Sequence, residues 1–233
     1  MSAEEARQNV KEVGHTPKIT WAAKQFAAEA EGLLELFRTI TPLVAERDKQ
    51  LSEELRAFGE ELVAKELKVP YSRVIALGVT ATKLALGQFI FMGHALVALV
   101  SRFDAFIGNV TSSLLKAFPY KISKRTLTYA EAAQFKSIDE LTNKFVEEEV
   151  DNLLREPHRK QLQYIGGLLG INLGDDEPKL IADFVEVTER RNVHVHASGM
   201  VTPQYLRVCA ENKVALSAGL KLGDKLVCCP INT

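Results

Sequence analysis

The stretch Glu189-Arg-Arg-Asn-Val-His-Val-His-Ala-Ser-Gly-Met-Val-Thr-Pro-Gln-Tyr-Leu206 closes an amphipathic helical pattern and holds two of the five histidines of the chain. It sets Arg191, Asn192 and His196 in the order Arg-Asn-x-x-x-His. A helix starting at Pro178 puts Leu180, Phe184, Val187 and Arg191 at helical spacing, so Arg191 is expected to extend a buried stripe. Asn192 and His196 are four apart and share a face. An arginine at the end of an apolar stripe needs a partner or a ligand, because a lone buried charge is costly. One reading is a phosphate clamp, Arg191, beside a proton-transfer group, His196, whose ring titrates near pH ~6.5. The arginine would then stabilise charge growing on a phosphorane. The other reading is an arginine and a histidine that cap the last carbonyls of a helix.

Working back from that helix, Gly174-Asp-Asp-Glu-Pro178 reads as a turn. Before it, Pro157 opens a helix carrying Leu162, Ile165 and Leu169 that stops around Gly170. Thr128-Tyr-Ala-Glu131 and Ser137-Ile-Asp-Glu140 are capping boxes, the second opening a helix to about Arg155 with Ile138, Leu141, Phe145, Val150 and Leu154 as its stripe. Residues 119–127 form a basic connection with Lys121, Lys124 and Arg125, read as a solvated loop in preference to an RNA contact. From Tyr71 to Phe118 the chain is apolar, and a break is expected near Gly87 or Gly93. Lys83, Gln88 and His94 interrupt its most apolar part, Val74 to Val100, below the roughly 18 uninterrupted apolar residues of a membrane span. We read a buried core helix there. Further upstream, Trp21, Phe26, Leu33, Leu34 and Phe37 mark one helix, and Pro42 suits the first turn of another running to about Leu67. The first 17 residues are polar and read as frayed. Strand signals are confined to Tyr205–Cys209 and Leu226–Cys228.

A chain of 233 residues can bury a core without disulfides or metal. Its 46% hydrophobic and 25% charged content are ordinary for a soluble globular protein. The net charge of −1 leaves no global electrostatic footprint for nucleic acid, so any such role needs a local cleft. Cys209, Cys228 and Cys229 do not have zinc-site spacing and suit a reducing, cytoplasmic setting. A signal core, a Gly-rich phosphate loop and a Ser/His/Asp arrangement are all missing from the sequence. No cofactor or metal is expected.

The extended pattern from Glu189 through Arg191, Asn192, His196, Gly199 and Val201 to Tyr205 and Leu206 resembles the signature of the HEPN superfamily. Within it, the chain is most similar to the RiboL-PSP-type HEPN proteins of bacterial conflict systems. The upstream helix with His94–Asp104, the Ser137-capped helix and the region Glu148–Leu162 fit the same pattern, so the resemblance covers about residues 88–223. It implies an all-α, HEPN-like helical bundle over residues 71–233, with residues 1–70 as an N-terminal helical extension. It further implies a homodimer that brings Arg191 and His196 of two chains into one cleft. Active members are metal-independent endoribonucleases that use the ribose 2′-hydroxyl as nucleophile and leave a 2′,3′-cyclic phosphate. On that footing Arg191 stabilises the phosphorane, His196 acts as acid or base, and Asn192 positions the pair. Asp104 is a candidate to orient His196 or Arg191. His194 stands where the family carries a bulky apolar residue, and is placed at the dimer surface in preference to the cleft. The tail Gly219–Leu226 is similar to the family's run-up to a further helix, so the terminus reads as truncated or altered. The implied partners are RNA or a nucleotide, with an antitoxin or regulatory protein to restrain a toxin, anti-phage or stress effector, and no membrane. The alternatives are a non-catalytic HEPN dimer that binds a nucleotide or protein, and a structural helical adaptor. His15, His94 and His158 read as isolated, His94 as a core histidine.

Overall fold

The computed structural model describes residues 16–64, 71–122, 126–173, 178–216 and 219–226. The fold is all-α. Its helices are α1 (Thr16–Ala64), α2 (Tyr71–Ala117), α3 (Tyr129–Ala132), α4 (Ile138–Arg155), α5 (His158–Leu169), α6 (Pro178–Ala197) and α7 (Pro203–Glu211), with a short 3-10 turn at Pro119–Lys121.

The first two helices, 49 and 47 residues long, are each about 70 Å from end to end. They run antiparallel. Phe26 stacks on Phe106 and meets Phe103 edge-on, Phe37 meets Phe91 at 5.5 Å, and the Arg73 guanidinium covers the Phe58 ring at 4.8 Å. Pro42 lies inside α1 and does not begin a new helix. An interior proline costs about 3 kcal/mol, and packing on both sides of it offsets that cost: Phe37 is held on α2 before it, and Leu51 is 2% exposed after it.

The expected break in α2 is also absent. Gly93 is buried in an unbroken helix because the His194 ring of α6 lies against it; a Cβ there would sit 3.2 Å from His194 Nδ1. Nor is α2 a core helix throughout. Ile107, Val110, Leu114 and Leu115 in its C-terminal half pack with Val146 and Leu153 of α4 and Ile165 and Leu168 of α5. Toward its N-terminus Val74, Ile75, Val79, Leu86 and Ile90 are exposed. The molecule is therefore a helical head from which the α1–α2 hairpin projects as an arm.

Head helices begin and end where local chemistry dictates. Thr128 completes a reciprocal capping box with Glu131, and the Ser137 hydroxyl accepts from the Glu140 amide at 3.1 Å. Gly170, at φ 71°, closes α5 in the left-handed conformation. Lys121 is not a solvated loop residue: its ammonium donates to the Leu168 carbonyl and sits 5.5 Å over the Phe118 ring. Lys124, Arg125, the turn at 174–177 and Cys228 lie outside the described residues. Tyr205–Cys209 is helical, not a strand, and extended pairing among the described residues is one bridge between Met200 and Lys225.

Candidate functional site

The last two turns of α6 carry all of the residues singled out above except Asp104. The helix turns its core face through Ala182, Val185, Thr188 and Val193. This differs from the expected stripe, because Leu180 is 63% exposed. Phe184, on that outer stripe, instead packs 4.5 Å from Phe103 and edge-on to His158. Arg191 lies on the same side and is half-buried.

The two adjacent arginines have different fates. Arg190 is committed to structure: its Nε and Nη2 reach Oε1 of Glu186 at 2.8 and 2.6 Å. The hydroxyl of Tyr205, itself 1% exposed, donates to the same oxygen at 2.5 Å. Burial first, then the Glu186 hydrogen bond, holds the Tyr205 phenol protonated far above its ordinary range. Burial likewise pushes the Cys209 thiol up to about 11, so it is an inert core side chain.

Arg191 makes no ion pair among the described residues. Its Nη1 donates to Asn192 Oδ1 at 3.0 Å, and Asn192 Nδ2 donates to Glu189 Oε1 at 3.2 Å. Its Nε is buried and lacks a hydrogen-bond partner. His196 is exposed and has no hydrogen-bond or ion-pair partner among the described residues. Five residues of helix separate their side-chain directions by roughly 140°, whereas Asn192 and His196 differ by only about 40°. Arg191 is thus bonded to the side chain, Asn192, that shares a helix face with the histidine.

Beyond His196 the chain turns sharply. Ser198 and Gly199 both have positive φ, and the Gly199 amide donates to the Val193 carbonyl, six positions back, at 3.1 Å, closing the helix end. Leu226 N–H then donates to Gly199 O, and Thr202 caps α7 through the Tyr205 amide. Val193, Val201, Tyr205, Cys209 and Leu226 form the small core beneath.

His194 is not at an outer surface. Its ring is wedged between Gly93, Gly199 and Phe89, 5.3 Å from the Phe89 centroid. Burial, then the charge of Arg190, pushes its pKa below the usual histidine range. The unfolded chain, with an ordinary histidine near ~6.5, therefore takes up the proton first on acidification. The stability that His194 confers is present above that value and is lost as pH falls below it. Chemical denaturation is expected to show a midpoint that declines from neutral to mildly acidic pH, with a shallower decline in His194→Gln.

Asp104 does not orient His196 or Arg191. Its Oδ1 accepts from Nε2 of His158 at 2.9 Å, pinning the start of α5 to α2; His158 is thus paired, not isolated. His94 has its Nδ1 2.8 Å from the Ile90 carbonyl, but the ring is exposed, not core. A cavity of about 360 Å³, lined by Arg159, Lys179, Asp183 and Lys213, lies at the other end of α6 and does not include these residues.

No protein-family model, curated protein or solved structure matches the chain. The functional reading therefore rests on the α6 geometry and on the residue pattern it carries. Sequence reasoning missed the Tyr205–Glu186–Arg190 and Asp104–His158 pairs. The four-residue spacing of Glu186 and Arg190 was a usable signal for the first. The second joins residues 54 apart and had none.

Proposed function

We propose that this chain is a metal-independent endoribonuclease of HEPN type, acting as a homodimer. One observation carries the reading. Arg191 keeps a buried Nε with no hydrogen-bond partner among the described residues and is bonded to Asn192, which shares a helix face with His196, exposed and likewise without a polar partner among them. A helix-capping role would instead commit these groups to carbonyls. Lys225, 4.0 Å over the Phe89 ring, adds positive charge at this end of α6, which suits a polyanionic substrate.

In this reaction a neutral His196 takes the proton from the ribose 2′-hydroxyl as its oxygen attacks the adjacent phosphorus. Arg191 donates hydrogen bonds to the non-bridging oxygens as their charge grows. The protonated His196 of the partner subunit gives a proton to the departing 5′-oxygen, leaving a 2′,3′-cyclic phosphate and a free 5′-hydroxyl. Each chain supplies one such histidine, so a complete acid–base pair requires two copies. Asn192 keeps the guanidinium turned toward the reacting phosphate.

The test is incubation of the full chain with total cellular RNA in EDTA, followed by analysis of the ends. Cleavage that leaves cyclic phosphates is expected. Intact RNA from a confirmed dimer would overturn the reading and favour a nucleotide- or protein-binding module.

A further inference from the structure

The α2 helix is apolar on two opposite sides of the arm. One side faces α1. The other, Ile75, Val79, Thr82, Leu86 and Ile90, is exposed throughout. It continues the line of Gly93 and Val100, which the head buries, so the same face is covered in the head and bare along the arm. A helix that is apolar all round needs a further apolar neighbour.

Two neighbours are possible in principle, a lipid phase and another protein surface. The stretch 72–117 is long and apolar enough to cross a membrane. Alongside the arm half of α2, however, runs the segment of α1 between Arg38 and Glu60, which contains nine charged residues. Its side chains include Arg47 and Glu54, paired at 3.2 Å with both half-exposed. A bilayer core of about 30 Å cannot take that face without a large penalty. The charged α1 is suited to be the outer, solvated layer of an assembly with α2 inside.

The spacing of the bare face identifies what it meets. Under reversal about a point between positions 82 and 83, Ile75 exchanges with Ile90, Gly78 with Gly87, and Val79 with Leu86. A surface that maps onto itself when reversed is what a two-fold, isologous contact between antiparallel helices requires. The two glycines flank the stripe on either side, and nothing lies within 4 Å of a Cβ built on either. Thr82, which exchanges with Lys83 under the same reversal and lies at the opposite margin, already donates its hydroxyl to the Gly78 carbonyl at 2.9 Å, so covering it strands no polar group. Lys83 lies at the margin, where its long stem can snorkel outward.

We infer that the arm is a self-association surface: α2 pairs antiparallel with α2 of a second copy through Ile75, Val79, Leu86 and Ile90, and the two α1 helices form the charged outside of a four-helix assembly. The paired stripes are about 24 Å long, and with the flanking side chains they hide on the order of 1,000 Å², the lower range of a specific interface. This contact holds the two sites about 30 Å apart, so it is separate from the contact that brings two His196 rings together and does not depend on the ribonuclease reading.

The test is sedimentation of the full chain beside Val79→Glu/Leu86→Glu. Both positions are exposed, at 44% and 52%, so the substitutions leave the protomer core untouched and circular dichroism should retain the helical signal. The parent is expected at no less than twice the 25.8 kDa chain mass, and the variant at a smaller multiple of it. Mixing that variant with Val79→Lys/Leu86→Lys should restore the parent's mass, because position 79 faces position 86 across the axis. A monomeric parent, or a mass that the two glutamates leave unchanged, overturns the inference. So does pelleting of the parent with phosphatidylcholine–phosphatidylserine vesicles that the glutamate variant loses, since that would make lipid the occupant.

Discussion

Replacing His196 by alanine is expected to lower the rate of RNA cleavage by about 10²–10⁴-fold, the usual contribution of a positioned acid or base. Thermal stability should stay unchanged, because the ring is exposed and touches no polar partner among the described residues. Arg191→Ala is expected to cost about 10²–10³-fold through lost stabilisation of the phosphorane. Arg191→Lys should recover little, since an ammonium cannot bond Asn192 and two phosphate oxygens with the geometry of a planar fork. Arg190→Ala is the informative contrast. It leaves a nearly buried Glu186 carboxylate with only the Tyr205 hydroxyl as partner, and should cost about 2–3 kcal/mol of stability. Two neighbouring arginines, one affecting rate and the other affecting unfolding, would separate site from scaffold. Equal rates for parent, Arg191→Ala and His196→Ala would place the chemistry elsewhere. A rate profile that rises and falls with pH is the further signature, because one histidine of the pair must be neutral while the other is protonated.

Much of the head was legible because its helix boundaries are set by local chemistry. Ser137, Thr128, Pro157 and Gly170 act through hydrogen bonds and dihedrals within a few residues of themselves, and the helices begin and end at them. Faces were less legible than ends. Ile138 and Leu180 belong to apolar stripes by spacing, yet they are 77% and 63% exposed, since which side of a helix is covered depends on neighbours remote in sequence. Pro42 and Gly93 misled for the same reason. Each carries a local preference against helix, and each is overridden by tertiary packing, Phe37 on Phe91 in one case and the His194 ring in the other. At the site, the order Arg191, Asn192, His196 was readable, and so was the need for a partner for Arg191. That Arg190 would be consumed by Glu186 and that His194 would be wedged against Phe89 required the positions of Tyr205 and Phe89, which no spacing in α6 encodes.

Substitution of Gly199 by alanine is expected to destabilise the chain by about 2–6 kcal/mol, from two separable causes. At φ +83° an L side chain is strained by about 1–3 kcal/mol. A Cβ would also lie 2.5 Å from Cζ of Phe89, an overlap that forces a shift worth a further 1–3 kcal/mol or so. A double-mutant cycle with Phe89→Ala distinguishes them. Truncating the ring opens the space but leaves the backbone strain, so the two substitutions should couple favourably by roughly 1–3 kcal/mol, with a residual penalty that Phe89→Ala cannot relieve. Chemical denaturation measures all four corners, and a Gly199→Ala chain as stable as the parent would refute the close approach. The consequence reaches the site because Gly199 closes the helix that carries it. Its amide donates to the Val193 carbonyl and its carbonyl accepts from Leu226, so the turn fixes where α6 stops, one residue after His196. Even under conditions where the variant is folded, that end of α6 is expected to be displaced and RNA cleavage reduced. His196 has no polar contact of its own to keep its place, so it depends on the backbone turn that Gly199 makes possible.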